Sequence, residues 1–175
     1  MATSLDLHDF IRDIPDFPKP GILFKDITPL LSSPAAFQNV IDRLVEQFQG
    51  RGIDTIAAAE ARGFLFGTPL ALALNVAFVP IRKPGKLPYK KITQEYQLEY
   101  GSDRLEMHDD AVGPGRRVLL LDDVLATGGT IRACRDLVQK TGAEVVACAF
   151  VVELSFIGGR ETLTPTEVFS VLDYA

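Results

Sequence analysis

The sequence predicts an α/β protein: a mainly parallel, twisted sheet flanked by helices, with one inserted hairpin. Uninterrupted apolar runs, above all at residues 118–121 and 145–152, have the composition of strands buried on both faces. Segments with apolar residues three and four apart separate such runs, as amphipathic helices do. The chain has 175 residues, about the size of one ordinary domain, and the alternation of strand and helix along it is the pattern of right-handed crossovers between parallel strands.

The elements follow in order. At residues 34–49, Phe37, Val40, Ile41, Leu44, Val45 and Phe48 share one helix face; Ser33 can cap the helix, Pro34 suits its first turn and Gly50 can end it. Residues 53–59 read as a short buried strand, followed by the polar break Glu60-Ala61-Arg62-Gly63, a helix at 64–74 and a strand at 76–81. Residues 63–81 carry no charge over nineteen positions, yet Pro69, Asn75 and Pro80 interrupt them, so a helix followed by a strand is expected rather than a membrane span. Residues 95–100 and 104–107 alternate in character around Gly101-Ser102-Asp103, which predicts the hairpin. After Gly113-Pro114-Gly115 come the strand at 118–121 and a helix at 130–141, with Ile131, Cys134, Leu137 and Val138 on one side and a stop at Gly142. Strands at 145–152 and 168–172 complete the pattern, and there are no repeats or low-complexity tracts.

Composition narrows the function. Apolar residues make up 47% and charged residues 23%, as in ordinary globular proteins. A formal charge of −5 gives no long-range attraction to nucleic acid or an anionic membrane. The segment RKPGKLPYKK at residues 82–91 nevertheless holds five of the eighteen cations and none of the twenty-three acids, which suits a small polyanion. The two cysteines, Cys134 and Cys148, lie in apolar runs without metal-ligand spacing, so both are expected to be reduced and structural. The first residues show neither the cationic nor the apolar part of a secretory leader, and a cytoplasmic location is expected.

The chemistry should lie at the carboxyl ends of the parallel strands, where loops and helix N-termini converge. The string VLLLDDVLATGGT runs from a buried strand through Asp122 and Asp123 into a loop with Ala126, Thr127, Gly128, Gly129 and Thr130, and then into a helix. Glycines let successive amides turn toward one point, hydroxyls add donors, and the helix N-terminus adds partial positive charge, which together make a phosphate receptor. The carboxylates upstream can accept hydrogen bonds from sugar hydroxyls or help to hold magnesium, and diol plus phosphate describes a ribose 5-phosphate. Apolar residues before paired Asp also describe a Walker B strand, but the chain has no G-x-x-x-x-G-K-[ST] loop. A receiver domain would carry its acid pair on the first strand. A purely structural Gly-Gly turn stands as the plain alternative.

LLLDDVLATGGT resembles the phosphoribosyl pyrophosphate motif of the type I phosphoribosyltransferases. Further segments narrow the resemblance to the adenine phosphoribosyltransferase family: FPKPGILFKDITPLL at 17–31, EARGFLFG at 60–67, RKPGKLP at 82–88, LEYG at 98–101 and GRETL at 159–163. The motifs stand in family order along almost the whole chain. The resemblance implies the type I phosphoribosyltransferase fold as a single domain over 1–175, with a small N-terminal hood at about 1–33 and a flexible loop beside the hairpin. It implies transfer of ribose 5-phosphate from phosphoribosyl pyrophosphate to N9 of adenine, giving AMP and pyrophosphate, with Mg2+ as cofactor and the chain as a homodimer.

The implied site residues follow motif by motif. Glu99 is the catalytic acid/base at N7 of the purine, and Tyr100 closes over the sugar. Asp122 and Asp123 approach the ribose hydroxyls, while Ala126, Thr127, Gly128, Gly129 and Thr130 hold the 5′-phosphate. Arg62, Arg82, Lys83 and Lys86 contact pyrophosphate, and Lys90 and Lys91 read as merely solvated. Leu23 and Lys25 read the adenine edge through backbone groups and Phe24 stacks on the base, or serves as a plain core aromatic; Lys25 stands where some relatives carry arginine. No protein metal ligand is certain: magnesium is expected mainly through the substrate, near Asp122 and Asp123. Residues 83–94 mix Pro, Gly and Lys without periodicity and are expected to move and close on bound pyrophosphate. Two other functions stand beside this one: transfer to another purine base, or a nucleotide-sensing regulator on the same fold. The regulator would carry a basic surface or a helix-turn-helix.

Overall fold

The computed structural model describes residues 5–97 and 102–175 of the chain, which divides into two units, Met1–Arg43 and Leu44–Ala175. In the first unit, a 3-10 turn at Leu7–Phe10 begins at Asp6, whose carboxylate accepts the His8 amide at 2.9 Å. Strand β1 (Arg12–Pro15) pairs antiparallel with β2 (Leu23–Asp26), setting Ile14 opposite Phe24 and Asp13 opposite Lys25. Asp26 then accepts the Thr28 amide at 2.9 Å and its hydroxyl at 2.6 Å, which fixes the turn into α1 (Thr28–Leu31). Helix α2 (Pro34–Phe48) starts as expected, with Ser33 Oγ accepting the Ala36 amide at 3.3 Å.

The second unit is organised by five strands: β3 (Thr55–Ala59), β4 (Ala77–Ile81), β7 (Arg117–Leu125), β8 (Glu144–Leu154) and β9 (Glu167–Tyr174). All four pairings are parallel, in the order β4-β3-β7-β8-β9. From β3 the chain passes through α3 (Gly63–Leu74) to β4 on one side; from β7 it passes through α4 (Gly129–Gln139) to β8 on the other. Right-handed crossovers in opposite directions put α3 and α4 on opposite faces of the sheet. The direction of winding therefore reverses between β3 and β7, and a crevice opens at their carboxyl ends.

Burial explains the apolar strands. All five residues of β3 and Val118, Leu119, Leu120 and Leu121 of β7 are buried. On one face, Ile131, Cys134, Leu137 and Val138 of α4 join Ala57, Leu120, Cys148 and Phe150 in a single core cluster. The hairpin β5 (Lys91–Gln97) and β6 (Ser102–His108) adds Tyr96, Leu105 and Met107 to that cluster. Both cysteines are buried and free, as expected from their surroundings. Among the described residues, no helix is long and apolar enough to cross a membrane.

The structure departs from the sequence reading at two informative places. Strand β7 does not stop at Leu121: pairing with β3 ends there, but pairing with β8 continues, so Asp122 and Asp123 stand on the strand itself and not beyond its end. Polar side chains hid this continuation, because a strand buried on both faces shows itself as an apolar run and that run stops at Leu121. Strand β5 likewise begins at Lys91, so residues 91–94 belong to the hairpin and the basic loop is shorter than expected. There, Lys91, Thr93 and Glu95 alternate with Ile92 and Tyr96 at a period too polar to stand out.

A sheet covered on both faces makes a specific demand of β7. Leu119→Ala and Leu120→Ala, which project to opposite faces, are each expected to lose about 2–5 kcal/mol in urea unfolding. A loss at one position alone would mean that one face is not covered.

Candidate active site

The β3–β7 crevice receives residues from both strand ends. Asp123 on β7 is 3% exposed, and its Oδ2 lies 2.9 Å from the Nε of Arg62, which stands just before α3. Asp122 Oδ1 accepts the Asp123 amide at 2.9 Å, and a Cβ placed on Gly63 would be 3.2 Å from that same oxygen. The first residue of α3 and the acidic pair are thus in close contact. Burial pushes the Asp122 carboxyl well above the ordinary aspartate range, and the neighbouring Asp123 charge adds to the push. Burial raises Asp123 as well, with the Arg62 guanidinium opposing it.

Downstream, β7 ends at Leu125 and Ala126, Thr127 and Gly128 form the loop before α4. Gly128 has φ near +80°, a conformation open to glycine, and it turns the chain directly into the helix. The first helical hydrogen bond runs from the Arg132 amide to the Gly128 carbonyl at 3.0 Å. Amides of Gly129, Thr130 and Ile131 therefore have no intrahelical acceptor and gather at the positive end of the helix. Such an arrangement binds a phosphate dianion.

The basic segment is tied down by carboxylates. Glu60, just after β3, accepts Arg82 Nε at 3.1 Å and the Lys83 amide at 3.0 Å. Burial pushes the Glu60 carboxyl up, but these donors outweigh it and leave the group below its ordinary range. Arg82 also exchanges backbone hydrogen bonds with Glu106 at 2.7 and 2.8 Å and donates to the Lys86 carbonyl at 3.4 Å. Glu106, 4% exposed, accepts the Gly85 amide at 3.2 Å and pairs with Lys91 Nζ at 3.0 Å. Lys91, read from sequence as merely solvated, is thus an anchor of the segment. Lys83 Nζ donates to Asp103 Oδ2 at 2.8 Å, which raises the lysine pKa and lowers the aspartate's. Tyr96 hydroxyl donates to the same carboxylate at 3.2 Å and also meets Thr130 of the loop–helix junction, so a polar chain joins the basic segment to the phosphate loop. Lys86 is exposed, and its charge acts on Glu60.

The unit Leu44–Ala175 therefore brings together Arg62, Asp122 and Asp123, and carries the loop Ala126–Thr130 and the cations Arg82, Lys83 and Lys86. Leu23, Phe24 and Lys25 stand on β2 of the other unit. There, the Phe24 ring meets Phe17 edge-on at 5.2 Å, Lys25 Nζ lies 2.6 Å from Asp13 Oδ1, and Leu23 is exposed. Glu99 and Tyr100 lie outside the described residues. Sequence reasoning missed Glu60, Tyr96, Asp103 and Glu106, whose partners are distant along the chain, 23 residues in the case of Glu60 and Lys83; the acidic residue opening EARG was the one local signal.

This architecture, with an acidic pair and a helix N-terminus at the switch point of a parallel sheet, is of the class that can receive a phosphorylated sugar. The Phosphoribosyl transferase domain model matches residues 26–168, and the chain belongs to that family. Within the family, its relatives are adenine phosphoribosyltransferases. The chain is 60% identical over 164 residues to that of Methylococcus capsulatus, covering 94% of this chain and 96% of the relative. The crystal structure of the enzyme from Thermoanaerobacter pseudethanolicus superposes with a TM-score of 0.93 at 52% identity, covering 96% of this chain and 98% of that one. The Saccharomyces cerevisiae enzyme, complexed with adenine and D-2,5-dideoxy-2,5-imino-altritol 1,6-bisphosphate, gives 0.89 at 43% identity, with 94% and 96% covered.

The raised Asp122 pKa carries a stability consequence. A carboxyl whose folded pKa exceeds its unfolded value of about 3.9 opposes folding when ionised, so its unfavourable effect is full above the folded pKa and vanishes below the unfolded one. Asp122→Asn should therefore be more stable than the native chain at pH 8, by about 1 kcal/mol or more, with the gap closing toward pH 4. Urea unfolding at several pH values checks this, and an Asn variant no more stable at pH 8 contradicts it.

Proposed function

We propose that the chain transfers ribose 5-phosphate from phosphoribosyl pyrophosphate to N9 of adenine, releasing AMP and pyrophosphate. The observation that carries this reading is the continuous unit of β7, loop and α4, which joins the Asp122–Asp123 pair near the end of β7 to the unpaired amides at the start of α4 through one short loop. In the reaction, the N9 lone pair forms a bond to C1′ while the bond from C1′ to the pyrophosphate oxygen breaks, its electrons leaving with pyrophosphate. The base gives up one proton. The sugar passes through an oxocarbenium-like state, which anionic groups beside it stabilise.

Each group then has a task. Amides of the loop and of the α4 N-terminus hold the 5′-phosphate, and Asp122 and Asp123 accept from the ribose hydroxyls. Arg62, Arg82, Lys83 and Lys86 receive the leaving pyrophosphate, and Glu99 exchanges the base proton at N7, with Tyr100 closing over the sugar. Leu23 and Lys25 read the adenine edge through their backbone and Phe24 stacks on the ring.

Magnesium fits this donor set as a companion of the substrate. Among the described residues, no group of three or more His, Cys, Asp or Glu could hold a metal ion by itself. Asp123 Oδ2 is buried and takes no well-aligned hydrogen bond among those residues, which leaves acceptor capacity beside the loop. A magnesium ion that keeps its waters and binds mainly phosphate oxygens suits such a pair. When bound, it would offset negative charge on the departing pyrophosphate. Cytoplasmic location and assembly as a homodimer complete the proposal; light scattering after size exclusion tests the second.

The decisive assay incubates the protein with phosphoribosyl pyrophosphate and each of adenine, hypoxanthine, guanine and xanthine, with and without magnesium. AMP formed from adenine, dependent on magnesium, is the expected result, and product from another base instead would overturn the assignment. Gly128→Ala is expected to lower kcat/KM for phosphoribosyl pyrophosphate about 100-fold by displacing the loop. Activity within about twofold of the native chain would remove this loop from the site.

A further inference from the structure

Glu153 is one of the few charged side chains buried in the described structure, at 2% exposure, and nothing in the proposed reaction uses it. It lies on β8 in register with Leu125, the residue before the phosphate loop. Its carboxylate accepts Arg160 Nε at 2.9 Å and a second nitrogen of the same guanidinium, and it also accepts the Ser170 hydroxyl. The third guanidinium nitrogen donates to the Val168 carbonyl at 2.7 Å. Arg160 is therefore fastened to both β8 and β9.

Arg160 belongs to the 3-10 turn Gly159–Leu163, which is also held from α4 by Arg135 donating to the Leu163 carbonyl at 2.9 Å. The turn meets the phosphate loop backbone to backbone. A Cβ on Gly159 would collide with the Ala126 carbonyl oxygen and lie 3.1 Å from the Gly128 amide nitrogen. A Cβ on Gly128 would collide with the Thr162 hydroxyl and lie 2.7 Å from the Gly159 carbonyl oxygen. Neither side leaves room for a methyl group.

We propose that Glu153 and Arg160 are positioning residues for the phosphate loop: the ion pair between the buried Glu153 carboxylate and the half-exposed Arg160 guanidinium presses the Gly159–Leu163 turn against Ala126–Gly128 and so sets the aim of the loop's amides. The proposal rests on the functional reading above. Stability alone is a poor reason for this pair, because an ion pair whose cation is half exposed contributes little to folding. Aim is the better reason, since a displacement of about 1 Å in a binding group can change a rate about a hundredfold.

The test compares Arg160→Met, Arg160→Lys and Gly159→Ala with the native protein. The last shifts the loop without touching the ion pair and decides the matter if Arg160→Met does not fold. Calorimetry measures binding of ribose 5-phosphate and of magnesium pyrophosphate, kinetics give KM for both substrates, and thermal melts identify folded samples. In folded Arg160→Met and Gly159→Ala, ribose 5-phosphate should bind about tenfold or more weakly and KM for phosphoribosyl pyrophosphate should rise. Pyrophosphate binding and KM for adenine should stay within about twofold, and Arg160→Lys should recover part of the loss. A lower Tm with unchanged ribose 5-phosphate affinity, or equal weakening of both ligands, overturns the proposal. If the native protein forms no AMP from adenine, the functional reading fails on its own, and the ribose 5-phosphate arm still decides whether this pair aims the loop.

Discussion

The site depends on the pairing of β3 with β7 stopping at Leu121, four residues before β7 itself ends at Leu125. As far as Leu121, β7 is a core strand paired on both sides, and its leucines are sealed from water. From Asp122 on, β8 still holds the strand straight while the edge that faced β3 is open. The carboxylates are thus carried by a rigid element but turned toward a crevice, and such support is what a binding group needs to keep its geometry.

That placement has an electrostatic cost, and the cations of the site offset it. Arg62 answers Asp123, Arg82 answers Glu60, Lys83 answers Asp103 and Lys91 answers Glu106. Much of the positive charge of residues 82–91 is therefore engaged with carboxylates. Pairs whose cation remains partly exposed are worth only about 0–1 kcal/mol, so a phosphate or diphosphate with several negative oxygens can compete for them. The same carboxylates fix where the cations wait, which keeps the entropy lost on binding small.

Much of this was legible in the sequence, and what was not has a physical cause. The apolar runs at 118–121 and 145–152 announced a buried parallel sheet, and the three-and-four spacing of Ile131, Cys134, Leu137 and Val138 announced α4. The loop before α4 was legible because glycine, hydroxyl and helix start are contiguous. Asp122 and Asp123 were found but placed beyond the end of the strand, since polarity inside a strand looks like its end. Residues 91–94 were taken into the basic loop because their outward positions are polar and β6 supplies the ladder. Glu60, Asp103, Glu106 and Glu153 were invisible as site residues, because their meaning comes from partners that only the fold brings near. The roles of Glu99 and Tyr100 rest on the family's LEYG motif, as an isolated hairpin carboxylate carries no chemical signal of its own.

The most direct test of the central claim is a crystal structure of the protein with ribose 5-phosphate. The account predicts the phosphate within about 2.7–3.2 Å of backbone nitrogens in the segment Thr127–Ile131, with the ribose diol on Asp122 and Asp123. Ribose 5-phosphate bound elsewhere, or held by side chains of the basic segment while those amides stay unused, would contradict it.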